Sequence, residues 1–135
     1  MDSIGDGIKR NADITPLEIE NFRKSVGFVP NFGRYKKALK RTYAHFSIRK
    51  NGELIAFARV VSDGIVYAFI VDVIIHKDFQ RQGIGAKLVK HIVAELKKDG
   101  IWRTQLIFVR KELEAFYKKC GFNILLAGDL INEVS

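Results

Sequence analysis

The chain has 135 residues, 47% of them apolar and 28% charged, which is the size and balance of one ordinary domain able to bury a core without staples. A lone Cys120 excludes an internal disulfide, and no Cys and His array has metal-ligand spacing, so a reducing compartment and no metal are expected. Lys and Arg outnumber Asp and Glu by 23 to 15, and the formal charge of +8 leaves open a nucleic-acid surface, a pocket for a phosphorylated small molecule, or solubilising charge.

The first helix start is "TPLE": Thr15 can cap, Pro16 fits the first helical position, and Glu18 stands where a capping box wants its carboxylate. Ile19, Phe22 and Val26 then share one face, with Gly27 as the stop. A second helix is expected over "RYKKALKR", with Tyr35, Ala38, Leu39 and Thr42 inward. The link between the two, "GFVPNF", carries two aromatics. From Tyr43 the period changes to two. Asn51-Gly52 supplies the two positive-φ positions of a tight hairpin, and "ELIAFARVV" returns as the partner strand. "SDG" makes the next turn and "IVYAFIVDVIIH" is a third, more buried strand, so three sequential antiparallel strands are expected.

Ile84, Leu88, Ile92 and Leu96 recur every four residues, with Val89 and Val93 beside them, and predict a long amphipathic helix ended by Gly100. "WRTQLIFV" then reads as a strand, "KELEAFYKKC" as a short helix ended by Gly121, and "FNILLAG" as a final strand. The order describes a mixed α/β domain over residues 1–135. The apolar run at 65–71 is closed by Asp72 and is far too short to cross a bilayer. "MDSIGDGIKR" lacks the apolar core of a signal peptide, so no membrane association and a cytoplasmic location are expected.

Between the third strand and the long helix lies "QRQGIGAK". The first N–H groups of a helix have no internal partners, and with the helix dipole they form an anion site. Gly83 and Gly85 remove Cβ atoms that would keep a phosphate from those amides, and Arg81 and Lys87 add charge. The dinucleotide fingerprint does not fit, because position 88 is Leu and six residues separate His76 from Gly83. A P-loop needs Gly-Lys-Ser/Thr, which is absent. On the residues alone, the loop is either a pyrophosphate cradle or a turn shaped by two glycines.

The loop does not stand alone. "VDVIIHKDFQRQGIGAKLV" and, further on, "FYKKCGF", in a segment order running from Tyr43 to Phe122, resemble the GNAT superfamily of acetyl-coenzyme A-dependent N-acetyltransferases. The resemblance implies a mixed, mainly antiparallel sheet of about six to seven strands flanked by about four helices. It implies that Gln80, Arg81, Gln82, Gly83, Ile84, Gly85 and Ala86 form the loop that holds the coenzyme A pyrophosphate. Val73, Ile74 and Ile75 would lie on the strand that typically carries a bulge, its free backbone groups pairing with the pantetheine arm. That strand and "WRTQLIFV" would splay into a V holding the acetyl thioester.

Tyr117 matches the tyrosine that in many relatives protonates the departing thiolate, and a phenol with a pKa near 10 can do so. The competing reading is a core aromatic, since Leu113, Tyr117 and Cys120 share a helical face. The implied reaction is direct attack of an amine without an acyl-enzyme, so Cys120 is assigned to packing. Asp72 is a candidate base, being an acid in an otherwise apolar strand where burial could raise its pKa, or else a structural carboxylate bonded to nearby backbone. His76 is read as a proton relay or a solvent-facing turn residue. Phe28, Phe32 and Tyr35 are candidate walls for the acceptor, because in this family the first two helices and their link shape that site; they could equally pack the link onto the sheet. Arg110 departs from the Asn that many relatives carry before the last helix.

The leading expectation is an acetyl-CoA-dependent transferase acting on a primary amine, as a small molecule such as an arylalkylamine, without a metal. Completing the sheet after so short a last strand could require a second copy, as a homodimer. The alternatives are a non-catalytic acyl-CoA sensor and a basic nucleic-acid-binding module, the latter unsupported by any zinc-finger or ribonucleoprotein motif.

Overall fold

The computed structural model describes residues 7–132, and of Phe32 the backbone only. A five-stranded sheet has the order β1-β2-β3-β4-β5, with β1 at Ile8–Arg10, β2 at Ala44–Lys50, β3 at Glu53–Ser62, β4 at Tyr67–Ile75 and β5 at Arg103–Leu106. The first four strands pair antiparallel, and β5 joins β4 in parallel, so the helix between them is a crossover. Helices α1 (Pro16–Ser25) and α2 (Phe32–Ala38, continued by a 3₁₀ turn at Leu39–Arg41) precede β2. Helix α3 (Ile84–Lys98) is the crossover, and α4 (Glu114–Lys119) follows β5.

The local signals act where expected. Thr15 caps α1 and Glu18 bonds back to the Thr15 N–H, a complete capping box. Gly27, at φ +92°, takes the left-handed position that ends the helix, and the Phe28 N–H reaches back to the Arg23 carbonyl. Asn51 and Gly52 both have positive φ, which sets the β2–β3 hairpin. The four-residue spacing in α3 becomes a fully buried stripe of Ile84, Leu88, Ile92 and Leu96, packed on the Phe46, Ile48, Ala58 and Ile70 face of the sheet. The opposite face carries a second core in which Ile19 and Phe22 of α1 pack on Leu54, Phe57 and Ile74.

Three expectations change. The sheet has five strands rather than six to seven, although the mixed α/β class holds. Strand β1 was not foreseen; it is three residues long and exists through its pairing of Ile8 with Ile48 and Arg10 with Phe46. "FNILLAG" is not a strand: the described residues after α4 form no ladder, and Leu125, Leu126, Leu130 and Ile131 are exposed. Among the described residues, no helix is long and apolar enough to cross a membrane, and no group of three or more His, Cys, Asp or Glu is placed to hold a metal ion.

Candidate active site

The free end of β4 organises the site. Parallel pairing with β5 runs only from Tyr67–Arg103 to Ile70–Leu106, so from Val71 onward β4 has no ladder partner on that side among the described residues. On its other side β4 carries one extra residue: Arg59 pairs with Val71 but Phe57 pairs with Ile74, leaving Asp72 and Val73 opposite a single residue of β3. This is a β-bulge, and Asp72 has φ 55° at its centre. The bulge therefore begins one residue before the Val73, Ile74 and Ile75 stretch assigned to it, and Ile74 and Ile75 return to the ladder opposite Phe57 and Ala56.

Asp72 is not the isolated acid its strand suggests. Arg59 Nε donates to Oδ2 at 2.6 Å, and the Tyr35 hydroxyl lies 2.8 and 2.9 Å from the two carboxylate oxygens. Arg23 Nε stands 3.9 Å from Oδ1. The partners are side chains from three other elements rather than nearby backbone, and they occupy the carboxylate as an acceptor. Sequence reasoning passed over Arg59, Arg23 and Glu20. A signal was present, since Arg59 is a charge inside the apolar run 54–61 of the strand beside the one holding Asp72, and Glu20 and Arg23 lie either side of the buried Phe22.

The chain then turns through a 3₁₀ segment at Lys77–Phe79 into the glycine loop. His76 serves that turn: its Nδ1 accepts the Asp78 N–H at 3.1 Å, and its Nε2 faces Glu53 at 3.2 Å. The Gln80 side chain donates to the Ile75 carbonyl and that of Gln82 to the Asp78 carbonyl, so both brace the loop. Arg81 and Gly83 take left-handed conformations at φ 64° and 81°, and Gly83 is the N-cap of α3. Among the described residues no side chain caps this fifteen-residue helix, which leaves its first amides, those of Ile84, Gly85 and Ala86, for another acceptor.

The cradle has room. A Cβ on Gly83 would meet nothing within 4 Å, and one on Gly85 would lie 3.8 Å from Phe116 and 3.9 Å from Ile75, which is ordinary contact. Neither glycine is demanded by crowding from the protein. Phe116 also places α4 beside the loop. Arg81 and Lys87 are exposed at its rim. These residues fit a pyrophosphate.

Tyr117 follows on α4, with its ring stacked on Phe108 at 5.1 Å and edge-on to Phe116 at 4.8 Å. The residue is 8% exposed, and no hydrogen bond holds its hydroxyl among the described residues. Burial pushes the phenol above its usual pKa, and the charge of Arg110 opposes that rise. Tyr117 also lines a cleft of about 580 Å³ between β5 and residues 120–128. This cleft includes neither the glycine loop nor the bulge and lies along the free edge of β5. Burial raises the Cys120 thiol pKa, which disfavours a nucleophilic thiolate and agrees with a packing role.

Around the link between α1 and α2, Arg23 lies 5.5 Å from the Phe28 ring centre and 4.1 Å from that of Tyr35. Phe28 is part-exposed and Tyr35 half-buried, while the Phe32 side chain falls outside the described residues. Burial, and then the Asp72 charge, raises the Tyr35 phenol pKa. Arg110 is exposed and pairs loosely with Glu112 at 3.8 Å.

A bulged strand thus parts from its parallel neighbour, and a glycine loop opens the crossover helix. The family model for the acetyltransferase (GNAT) domain matches residues 41–124, more than half of the chain. The chain belongs to the GNAT acetyltransferase family. It is 34% identical over 120 residues to an uncharacterized N-acetyltransferase, ycf52, of Pyropia yezoensis, covering 85% of this chain and 68% of that one. Over 86 residues it is 36% identical to the ribosomal protein bS18-alanine N-acetyltransferase of Escherichia coli K12, covering 60% of this chain and 55% of the relative. The fold is shared with a probable acetyltransferase of unknown function from meticillin-resistant Staphylococcus aureus, at a TM-score of 0.81 and 24% identity, covering 94% and 100% of the two chains.

Proposed function

We propose that the chain is an acetyl-CoA-dependent N-acetyltransferase that acetylates a primary amine by direct attack. The observation that carries this reading is the uncapped start of α3, opened by Gly83 and Gly85, beside a β4 end that has no partner on its β5 side. When bound, acetyl-CoA supplies an acetyl carbon activated as a thioester. The α3 amides and Arg81 bind the pyrophosphate, and the Val73 backbone orients the arm as an added strand would. The amine nitrogen bonds to the acetyl carbon as the carbon–sulfur bond breaks, and the Tyr117 hydroxyl donates its proton to the departing sulfur. Because Asp72 is occupied by Tyr35 and Arg59, the amine proton leaves through water rather than to that carboxylate.

The acceptor approaches between the α1–α2 link and the end of β4. A small arylalkylamine would use Phe28 and Tyr35 as walls. The relative that acetylates the alanine of a ribosomal protein makes a polypeptide α-amine an equal first choice. Calorimetry with acetyl-CoA, with NAD and a DNA duplex as controls, tests the reading. Tight acetyl-CoA binding followed by amine-dependent release of free thiol is the expected outcome. Salt-sensitive DNA binding without acetyl-CoA binding would overturn it.

A further inference from the structure

The chemistry proposed above leaves unexplained why β4 bears a charged residue at its bulge. Left-handed backbone is a conformation that L side chains avoid unless their surroundings hold them there, and Asp72 has φ 55°. Three elements hold it. Arg59 grips it from β3, one ladder step away through its own pairing with Val71. Tyr35 grips it from α2 with a hydroxyl shared between both oxygens. Arg23 of α1 completes the ring as an ion pair at 3.9 Å, without a hydrogen bond.

The same Arg23 reaches the other way. Its Nη1 donates to the Val29 carbonyl at 2.9 Å and meets Glu20 at 3.3 Å, and Glu20 accepts the Asn31 N–H at 2.6 Å. The link between α1 and α2 is thus pinned by two side chains, one of which faces Asp72. The side chains of Glu20, Arg23, Asp72 and Arg59 are 5%, 10%, 12% and 15% exposed, so little water is available to substitute for these bonds.

We propose that Asp72 is a positioning residue: its ionic ring with Arg59, Tyr35 and Arg23 fixes the β4 bulge and the acceptor-side link as one rigid piece. The backbone that orients the acyl group and the wall that meets the amine are then held at a set separation. The inference rests on the acetyl-transfer reading, because that reading places the two reactants on either side of this ring.

The test uses the full chain with three substitutions. Asp72→Asn keeps the shape but removes the charge. Tyr35→Phe removes one donor and leaves the Arg59 pair intact. Tyr43→Phe, which deletes a hydroxyl bonded to Asp99 at the C-cap of α3 and makes no bond to the ring, is the control. Amide NMR spectra are compared first. In both ring variants the signals of residues 27–31 and of 71–75 should shift together, and in the control neither set should move. Kinetics follow: turnover should fall by about a hundredfold in Asp72→Asn, with coenzyme A affinity unchanged, because misplacement rather than loss of binding is the defect.

Shifts confined to each variant's sequence neighbours, or unchanged turnover in both ring variants, would overturn the proposal. Should Asp72→Asn fail to fold, Tyr35→Phe alone decides it. Should the unaltered protein not bind coenzyme A, the acetyl-transfer reading falls, while the amide shifts still decide whether the link and the bulge move as one.

Discussion

Replacing Gly85 by Ala should move stability and ligand affinity in opposite directions. Gly85 is the second residue of α3 and lacks the positive φ that would demand glycine. Its new Cβ would rest 3.8 Å from Phe116 and 3.9 Å from Ile75, so the core need not give way. Alanine restricts the unfolded chain and favours the helix, a gain of about 0.5 kcal/mol in a first turn, or about 2 °C in Tm for a chain of this size. The same methyl group stands over amides assigned to a phosphate. Loss of one charge-assisted hydrogen bond costs about 1.5 to 3 kcal/mol, so the Kd for acetyl-CoA should rise about ten- to a hundredfold. Thermal melts and calorimetry on one preparation read both quantities. A raised Tm with unchanged acetyl-CoA affinity would refute the cradle and leave the two glycines as makers of a turn. Gly83→Ala is the companion, and at φ 81° it should cost about 1 to 2 kcal/mol of stability whatever the ligand does.

Tyr117→Phe should cut turnover by about a hundred- to ten-thousandfold while leaving acetyl-CoA affinity intact, measured by steady-state kinetics beside calorimetry. Since burial raises the phenol pKa above its ordinary 10, the proton is retained throughout the neutral range, and Tyr117 should impose no fall in rate below pH 10. Burial lowers the pKa of His45 below the usual 6.5. Below pH 6.5 the unfolded chain takes up a proton that the folded one resists, so this contribution to stability is present above 6.5 and is lost as pH falls through the folded value. Urea unfolding at neutral pH and near pH 5 should show the loss, and His45→Gln should flatten it. Leu88→Ala, at a fully buried position of α3, should cost about 2 to 5 kcal/mol in the same assay.

The parts legible in the sequence are those whose cause is local. The capping box at Thr15, the Asn51-Gly52 turn and the recurrence of Ile84, Leu88, Ile92 and Leu96 each fix structure within a few residues, and each was realised. Strand β1 and "FNILLAG" mark the limit from two sides. Three residues of little distinction become a strand because Ile48 and Phe46 accept them as partners, whereas a β-prone apolar run stays irregular because no described strand pairs with it. Strand propensity is a fit to a neighbour rather than a property of the segment. The site divides the same way. The glycine loop was visible as a motif. The environment of Asp72 was not, because Arg59 and Tyr35 lie 13 and 37 residues away along the chain.

Backbone strain separates the two kinds of feature. Asn11, Asn51, Asp72 and Arg81 are the described non-glycine residues with positive φ. Asn tolerates that region, and Asn51 uses it to close a hairpin. Asp72 and Arg81 close no such hairpin: one sits within a strand, the other in the loop that opens α3, and they bracket the stretch where β4 leaves β5. Tertiary bonds hold Asp72 in its conformation, and the side-chain braces from Gln80 and Gln82 hold the turn around Arg81. Local preference is thus overridden at both ends of the segment that the proposed chemistry uses. Asp72 holds the bulge through its bonds to Arg59 and Tyr35, and Arg81 sets an exposed cation on the loop that opens α3, so both strained positions carry side chains that glycine could not supply.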